Sequence, residues 1–290
     1  MTAALPLPAE EARRPVRARR IRFDYATQPA GRHVHYCDGD LVMSHVVAML
    51  SAMFPEGEDF FVRSVRYYAN DITDPQLKED VAGFIGQEVT HGREHRALNE
   101  RLQEMGYPTR RLDRWVKRDL AFVNKHTPRR FQLAITSALE HYTASLAETL
   151  LTDPEAQARL SDGEVKSMLL WHAIEESEHK AVAFDVYKAV GGTERMRIWT
   201  MRLVSLLFLL AAVGHSIASM AADRDTYRPR VLLRSLRKLP GSPFLGPNVR
   251  RIRAYNKVGF HPNDNDNGPL LDEWTARLFG EQGALAGNLR

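Results

Sequence analysis

Apolar residues recur along this chain at the three-to-four-residue spacing of amphipathic helices, and alternating runs are weak throughout, so the expected class is all-α. Start and stop signals cut the pattern into segments. Asp40 is the N-cap for a helix over 41–53. Pro55 sits at a first-helical position for a second piece from Glu56 to Tyr68, which predicts a break at Phe54-Pro55. Asp74-Pro75 opens a long helix to about Met105, ended by Gly106 and Pro108. A short connecting helix is expected over 112–125, and Thr127-Pro128 starts another that runs to about Leu151. Ser161-x-x-Glu164 has the form of a capping box and opens a helix reaching Val190, where Gly191-Gly192 stops it. From Pro229 onward, scattered prolines and glycines predict an irregular arm, followed by an amphipathic helix near 270–279 and loose final residues.

Four of these segments carry acidic and imidazole groups on otherwise apolar faces. They are Glu58, then Glu88-x-x-His91, then Glu140, then His172-x-x-x-Glu176-x-x-His179. Residues three or four apart share a helix face, so each Glu-x-x-His pair aims one oxygen and one nitrogen donor the same way. Two such pairs interleaved with two single glutamates form the ligand set of a carboxylate-bridged di-iron or di-manganese centre in a ferritin-like four-helix bundle. Apolar neighbours such as Phe60, Phe61, Leu139 and Trp171 argue against solvated helix faces, because charges are rarely buried unless paired or metal-bound. His95 continues the Glu88/His91 stripe, as a further ligand, as a hydrogen-bond partner orienting one, or as a surface residue. His141 could orient the neighbouring Glu140. Glu56 competes with Glu58, and Glu58 is preferred. Glu175 and Glu178 point away from the Glu176/His179 stripe, toward salt bridges or solvent. His33, His35 and His45 have no ligand spacing among themselves, and His215 reads as a core histidine. Tyr67, Tyr68, Tyr142 and Tyr187 read as core or supporting groups.

The stretch 203–222 holds no Asp, Glu, Lys or Arg and is long enough, at about 1.5 Å per residue, to cross a bilayer core of roughly 30 Å. Arginines flank both ends, and Gly214, His215 and the serines favour a helix buried against the bundle over one lying in or across a membrane.

Composition refines this picture. The net charge is +4, and between Asp223 and Lys257 ten Lys or Arg face two acidic residues. No nucleic-acid motif accompanies that excess, so an anionic membrane surface is the expected contact and nucleic acid is not. Cys37 is the single cysteine, which excludes an intrachain disulfide and a cysteine zinc site and fits a reducing compartment. The expected location is cytoplasmic, or peripheral to the inner membrane. Pro6, Pro8, Pro15 and the run of arginines from Arg13 do not form a secretory signal. Three regions are expected: a loose basic arm over 1–20, the metal-binding bundle over 21–200, and the apolar helix with a basic C-terminal arm over 201–290. A homodimer is compatible with such a bundle.

The chain resembles a bacterial family of predicted metal-dependent hydrolases, through Phe54-Pro-Glu-Gly-Glu-x-Phe-Phe61, Glu88-x-x-His91-x-x-x-His95, Leu139-Glu-His141, Trp171-His-x-x-Glu-Glu-x-Glu-His-Lys180 and Gly259-Phe-His-Pro262. The match runs from about residue 20 to 265. The ligand pattern is also similar to that of di-iron arylamine N-oxygenases, which implies three histidines and four glutamates, with His172 the added nitrogen donor. The resulting expectation is a non-haem enzyme with two Fe ions (or Mn/Fe, or two Mn), activating O2 for a small apolar, lipid-like substrate with an electron-donor protein. Hydrolysis of an ester or phosphate by two divalent ions is the alternative, and a non-catalytic iron-handling bundle the third.

Overall fold

The computed structural model describes residues 14–25 and 35–290. Among them the fold is all-α, with one isolated antiparallel bridge, Ile21 to Leu289. Four long helices make the bundle: α1 (Leu41–Arg66), α2 (Pro75–Glu104), α4 (Arg129–Thr152) and α6 (Gly163–His179). Helix α3 (Thr109–His126) packs on α1, and the short α5 (Pro154–Arg159) links α4 to α6. Then come α7 (Val182–Ala189), α8 (Glu194–Met220), α9 (Pro229–Lys238), α10 (Gly246–Ala254) and α11 (Gly268–Phe279). Asp side chains cap several helix starts: Asp40 accepts from Met43 N, Asp74 from Gln76 N, and Asp162 from Glu164 N and Val165 N.

Two apolar clusters fill the bundle. One gathers Trp171, Leu98, Leu102 and Met168, the other Phe60, Phe84, Leu133 and Tyr187. Each such side chain removed from water is worth roughly 1.5–3 kcal/mol. The polar cluster lies between them, because Trp171 packs edge-on against His91 and Phe84 against His179, each with centroids 5.0 Å apart.

Several sequence expectations need correction. Helix α1 runs unbroken through Pro55. A proline cannot donate to the carbonyl four residues back, but Asn99 Nδ2 donates to Ser51 O at 3.0 Å and satisfies it instead. The helix over 163–190 ends at His179 and restarts at Val182. Asn267 Nδ2 takes the Ser177 carbonyl (3.2 Å) that the Ala181 N–H would have served. Asp162, not Ser161, is its N-cap. The arm after Pro229 contains α9 and α10, because Pro229 and Pro247 occupy first-turn positions, where a missing N–H costs nothing.

Residues 1–13 of the expected loose arm lie outside the described residues, but 14–20 are packed. Val16 is buried, and its backbone crosses α2 at two glycines. A Cβ on Gly83 would stand 1.9 Å from Val16 O, and one on Gly86 2.7 Å from Ala18 Cβ. The final residues are held too, with Arg22 N donating to Asn288 O (3.1 Å) and Arg290 N to Arg20 O (2.7 Å).

The expectation that 203–222 is buried also fails. Helix α8 touches α1 and α4 through a narrow stripe that includes Met201, Val204, Ser216 and Ser219, and its other faces are open. By length and composition it could cross a membrane, yet only 17% of its apolar window is covered.

Candidate metal centre

Helix α1 contributes Glu58, α2 contributes Glu88 and His91, α4 contributes Glu140, and α6 contributes His172, Glu176 and His179. All seven are buried and face one another. His179 Nε2 lies 3.1 Å from Glu88 Oε1 and 3.2 Å from Glu140 Oε2. His91 Nδ1 lies 3.5 Å from Glu176 Oε1 and 3.7 Å from Glu88 Oε1. His172 Nε2 lies 2.8 Å from Glu176 Oε1 and 3.7 Å from Glu58 Oε1. Donor atoms of Glu58, Glu88 and His91 fall within 4.8 Å of one another, and so do those of Glu88, Glu176 and His179. Glu88 is common to these two trios; His91, His172 and Glu176 form another, and Glu58, His95 and His172 a fourth.

The outward nitrogen of each imidazole is already committed. His91 Nε2 meets Glu175 Oε2 at 3.0 Å, and Glu175 also accepts from Arg19 Nη1 (3.1 Å) and Arg19 N (3.3 Å). His179 Nδ1 meets Gln87 Oε1 at 2.8 Å. That oxygen is the acceptor, because Gln87 Nε2 donates to Glu178 Oε2 (2.8 Å) and Arg17 O (3.2 Å). His172 Nδ1 meets His95 Nε2 at 2.9 Å, and His95 Nδ1 meets Ser51 Oγ at 2.9 Å. Ser51 spends its one proton on Asn99 Oδ1 (2.8 Å), so His95 Nδ1 must donate to Ser51, and His95 Nε2 must accept from His172 Nδ1–H. His172 Nε2 then carries no hydrogen of its own, and its 2.8 Å contact with Glu176 Oε1 calls for a proton or a cation between the two atoms.

The inward atoms are the unmatched ones. Both oxygens of Glu58, Glu88 and Glu140, Glu176 Oε2, His91 Nδ1 and His179 Nε2 are buried without a hydrogen bond. A buried polar atom without a partner costs about 1–3 kcal/mol, and more when charged. Such a concentration around one space, with every imidazole held from behind, fits cation binding, in which each ligand histidine donates its other N–H to an orienting acceptor.

Electrostatics point the same way. Burial, with the charge of Glu88 added, pushes Glu140 up to about 8. Burial likewise raises Glu58 and Glu88. Burial opposes ionisation of Glu176 too, but the charge of His179 outweighs it and holds this carboxyl well below its ordinary range. Burial and the charge of His91 bring His172 down to about 4. On His91 and His179 burial is overcome by the surrounding carboxylates, and both rise. A site that holds protons on buried carboxyls and imidazoles is one from which cations displace them.

Other candidates fall elsewhere. His141 stands apart from the cluster and does not orient Glu140. Its Nε2 meets Arg251 O at 2.9 Å, and its ring packs on Tyr255 and Phe260. Glu56 is half-buried and faces Lys117 at 3.5 Å. Glu178 pairs with Arg19, but Glu175, expected to point away, is fully buried behind His91. His35 and His45, despite lacking ligand spacing, meet on Asp223 at 2.8 and 3.2 Å, with His45 Nδ1 on Ser219 Oγ at 2.7 Å. His33 lies outside the described residues. His215 packs edge-on with Trp115 at the α8 surface instead of in a core. Gln87, Ser51 and Asn99 gave no sequence signal of their own, although Ser51 and Asn99 share the repair of the Pro55 gap.

A cavity of about 740 Å³ abuts the cluster. At its inner end it meets Ser51, Phe54, His172 and Glu176, and its walls are mainly apolar, among them Leu50, Leu146 and Leu169. A second cavity, of about 420 Å³ between His141, Lys180 and Phe260, touches none of the seven residues.

The sequence model of a family described as "Predicted metal-dependent hydrolase" matches residues 17–266. No curated protein and no solved structure matches the chain. The family description overturns the expectation of an oxygen-activating enzyme and favours the alternative of metal-dependent hydrolysis.

Proposed function

The chain belongs to the family of predicted metal-dependent hydrolases, and from that premise we propose that it hydrolyses a carboxylic ester with an apolar acyl part, using two divalent cations held by Glu58, Glu88, His91, Glu140, His172, Glu176 and His179. The observation that carries this reading is the convergence of unmatched carboxylate oxygens and imidazole nitrogens around one buried space, two of whose residues, His172 and Glu176, also line an apolar cavity. The mixed oxygen and nitrogen set suits Mn²⁺, Zn²⁺ or Fe²⁺. When bound, such ions acidify a water and polarise a carbonyl.

The chain's own residues supply the rest. Phe54 and the leucine walls exclude bulk water from the acyl part, which strengthens every electrostatic interaction at the inner end. Phe54 stacks on His95 (centroids 4.4 Å) and meets His172 edge-on (4.8 Å), so it fixes both rings where substrate meets ligands. Glu175, Gln87 and His95 keep the three ligand imidazoles in one tautomer each. A phosphate ester is the less suited substrate. Among the residues meeting the inner end no Lys or Arg stands ready for its charge.

The test is hydrolysis of p-nitrophenyl esters of graded acyl length by metal-loaded protein under anaerobic conditions. Turnover lost with a chelator, restored by a divalent cation and abolished in Glu88→Ala or His179→Ala is expected. Turnover that needs O2 and a reductant, or stoichiometric metal retained in both variants, refutes the reading.

A further inference from the structure

Helix α8 exposes Trp199, Leu203, Leu206, Leu210, Val213 and Ile217, each between 45% and 61% open. Their spacing of four, three, four, three, four sets them on one face. Leu207 and Leu209, also exposed, widen it to an arc of about 160° at 3.6 residues per turn. An exposed apolar surface this large marks a docking site.

Charge identifies the occupant. A seam for a second copy of the helix would be narrow and rimmed by charged residues that set its register. Here the arc is wide, and no charged residue occurs from 203 to 222. The cations stand at the two ends instead: exposed Arg195 and Arg202 before, Arg224, Arg228 and Arg230 after. Trp199 and Tyr227, 61% and 70% exposed, accompany them. Apolar side chains bounded by aromatic rings and arginines match the profile of a headgroup layer over hydrocarbon. Helix α9 repeats the pattern in miniature, with exposed Leu233 and Leu236 between Arg230, Arg234 and Arg237. Because α8 packs on α1 and α4 along its opposite side, only its open face is left for a bilayer, which it would meet lengthwise and not cross.

The same surface holds the mouth of the 740 Å³ cavity. Leu209, Leu245 and Val249 are exposed and also line the cavity, beside exposed Arg202 and Arg253. The cavity thus joins this face to Phe54, His172 and Glu176, with guanidinium groups at the entrance and apolar walls within. Its volume falls in the range of roughly 300–1,000 Å³ of ligand sites.

We propose that the α8–α9 face docks on an anionic phospholipid membrane, and that a lipid acyl ester enters the metal cluster through this cavity. The substrate part rests on the hydrolase reading, and the docking part does not. Full-length, metal-loaded protein is sedimented with vesicles of phosphatidylglycerol and phosphatidylcholine, and with phosphatidylcholine alone. Binding is expected to need the anionic lipid and to fall steeply with salt. The triple variant Arg230→Glu, Arg234→Glu, Arg237→Glu should lose about 100-fold or more in partitioning. Leu206→Asp with Leu210→Asp should lose binding as well. Both variants should keep the wild-type Tm and p-nitrophenyl acetate turnover, while losing turnover of a long-chain acyl ester presented in anionic vesicles. Equal binding to neutral and anionic vesicles, or a stable dimer that Leu206→Asp with Leu210→Asp splits while wild type ignores vesicles, overturns the docking. Docking with no hydrolysis of any ester, short or long, refutes the hydrolase reading and leaves the membrane surface standing. Docking with short-ester turnover, and no gain from long chains on vesicles, overturns the cavity route alone.

Discussion

Glu175 makes no direct approach to the space the ligands share, yet metal affinity should depend on it. Its carboxylate is fully buried, accepts from His91 Nε2 at 3.0 Å, and is held by Arg19 from the other side. Burial would raise its pKa, but His91 and Arg19 outweigh that and lower it, so it is ionised. In Glu175→Gln one amide oxygen can still accept from His91, but the charge is gone. In Glu175→Leu the imidazole N–H is stranded and the ring is free to rotate. Removing such an orienting partner costs about 10–100-fold in metal affinity. The Gln variant belongs near the lower limit, about 1.4 kcal/mol, and the Leu variant near the upper, about 2.8 kcal/mol. Arg19 keeps Glu178 (2.6 and 2.8 Å) in both, so no unpaired cation confuses the result. The assay is competition for Zn²⁺ or Mn²⁺ against a chromophoric chelator, on variants checked for wild-type helicity. Glu148→Gln, which removes the charge from a half-buried pair with Arg251 outside the cluster, serves as control. A folded Glu175→Leu variant with wild-type affinity would refute the role given to this carboxylate and the Nδ1 assignment of His91.

Metal-free protein should lose stability from about pH 6.5 to about 8. Glu140, raised to about 8, stabilises below its ordinary 4.5 and loses that contribution as pH rises through 8, whereas His172, lowered to about 4, acts oppositely only up to its ordinary 6.5. A Tm falling across that window in chelated protein, and flat in metal-loaded protein, is expected; identical profiles would count against cation binding. Gly83→Ala sets a Cβ against Val16 O, so the urea midpoint should drop by the equivalent of about 1–3 kcal/mol. Metal affinity should fall with it, because Arg19 rides on the displaced segment, and an unchanged midpoint would show that 14–20 is not seated on α2. Leu146→Trp narrows the apolar cavity. It should cut kcat/KM for a long-chain ester at least about tenfold, at the scale of a few kcal/mol for overpacking, and spare the acetyl ester. Equal losses on both would place the acyl group elsewhere.

The seven residues of the candidate centre were readable because a helix repeats its face every three to four residues, and Glu88/His91 and Glu176/His179 use that period directly. The residues behind them were not. Glu175 lies next to a ligand in sequence and so points about 100° away from it, a direction that reads as outward until the segment 14–25 is known to cover that side. Gly83-x-x-Gly86 on α2 was the available sign of that cover, since paired glycines inside a helix imply close backbone approach. Pro55, Pro229 and Pro247 misled as breakers. A proline is tolerated when another group serves the carbonyl it abandons, or when it falls in the first turn, and neither circumstance is visible from spacing. Burial of α8 was misjudged because glycine, histidine and serine in an apolar run report weak lipid compatibility, not the presence of a covering partner.

Asn99 touches no ligand, yet it sets the ionisation pattern of one. Its amide nitrogen repairs the gap that Pro55 leaves in α1, and the same side chain's oxygen takes the Ser51 proton. That choice passes through His95 and leaves His172 Nε2 without hydrogen. A defect in a backbone ladder is thereby translated into a chemical instruction about which face of an imidazole is basic. Healing the defect, as in Pro55→Ala, would supply a rival donor for the Ser51 carbonyl. Asn99 could then turn, and the protons along the relay could reverse. The proline is in this sense an upstream setting of the candidate metal site, and a substitution there would change the chemistry of His172 while the seven residues stay in place.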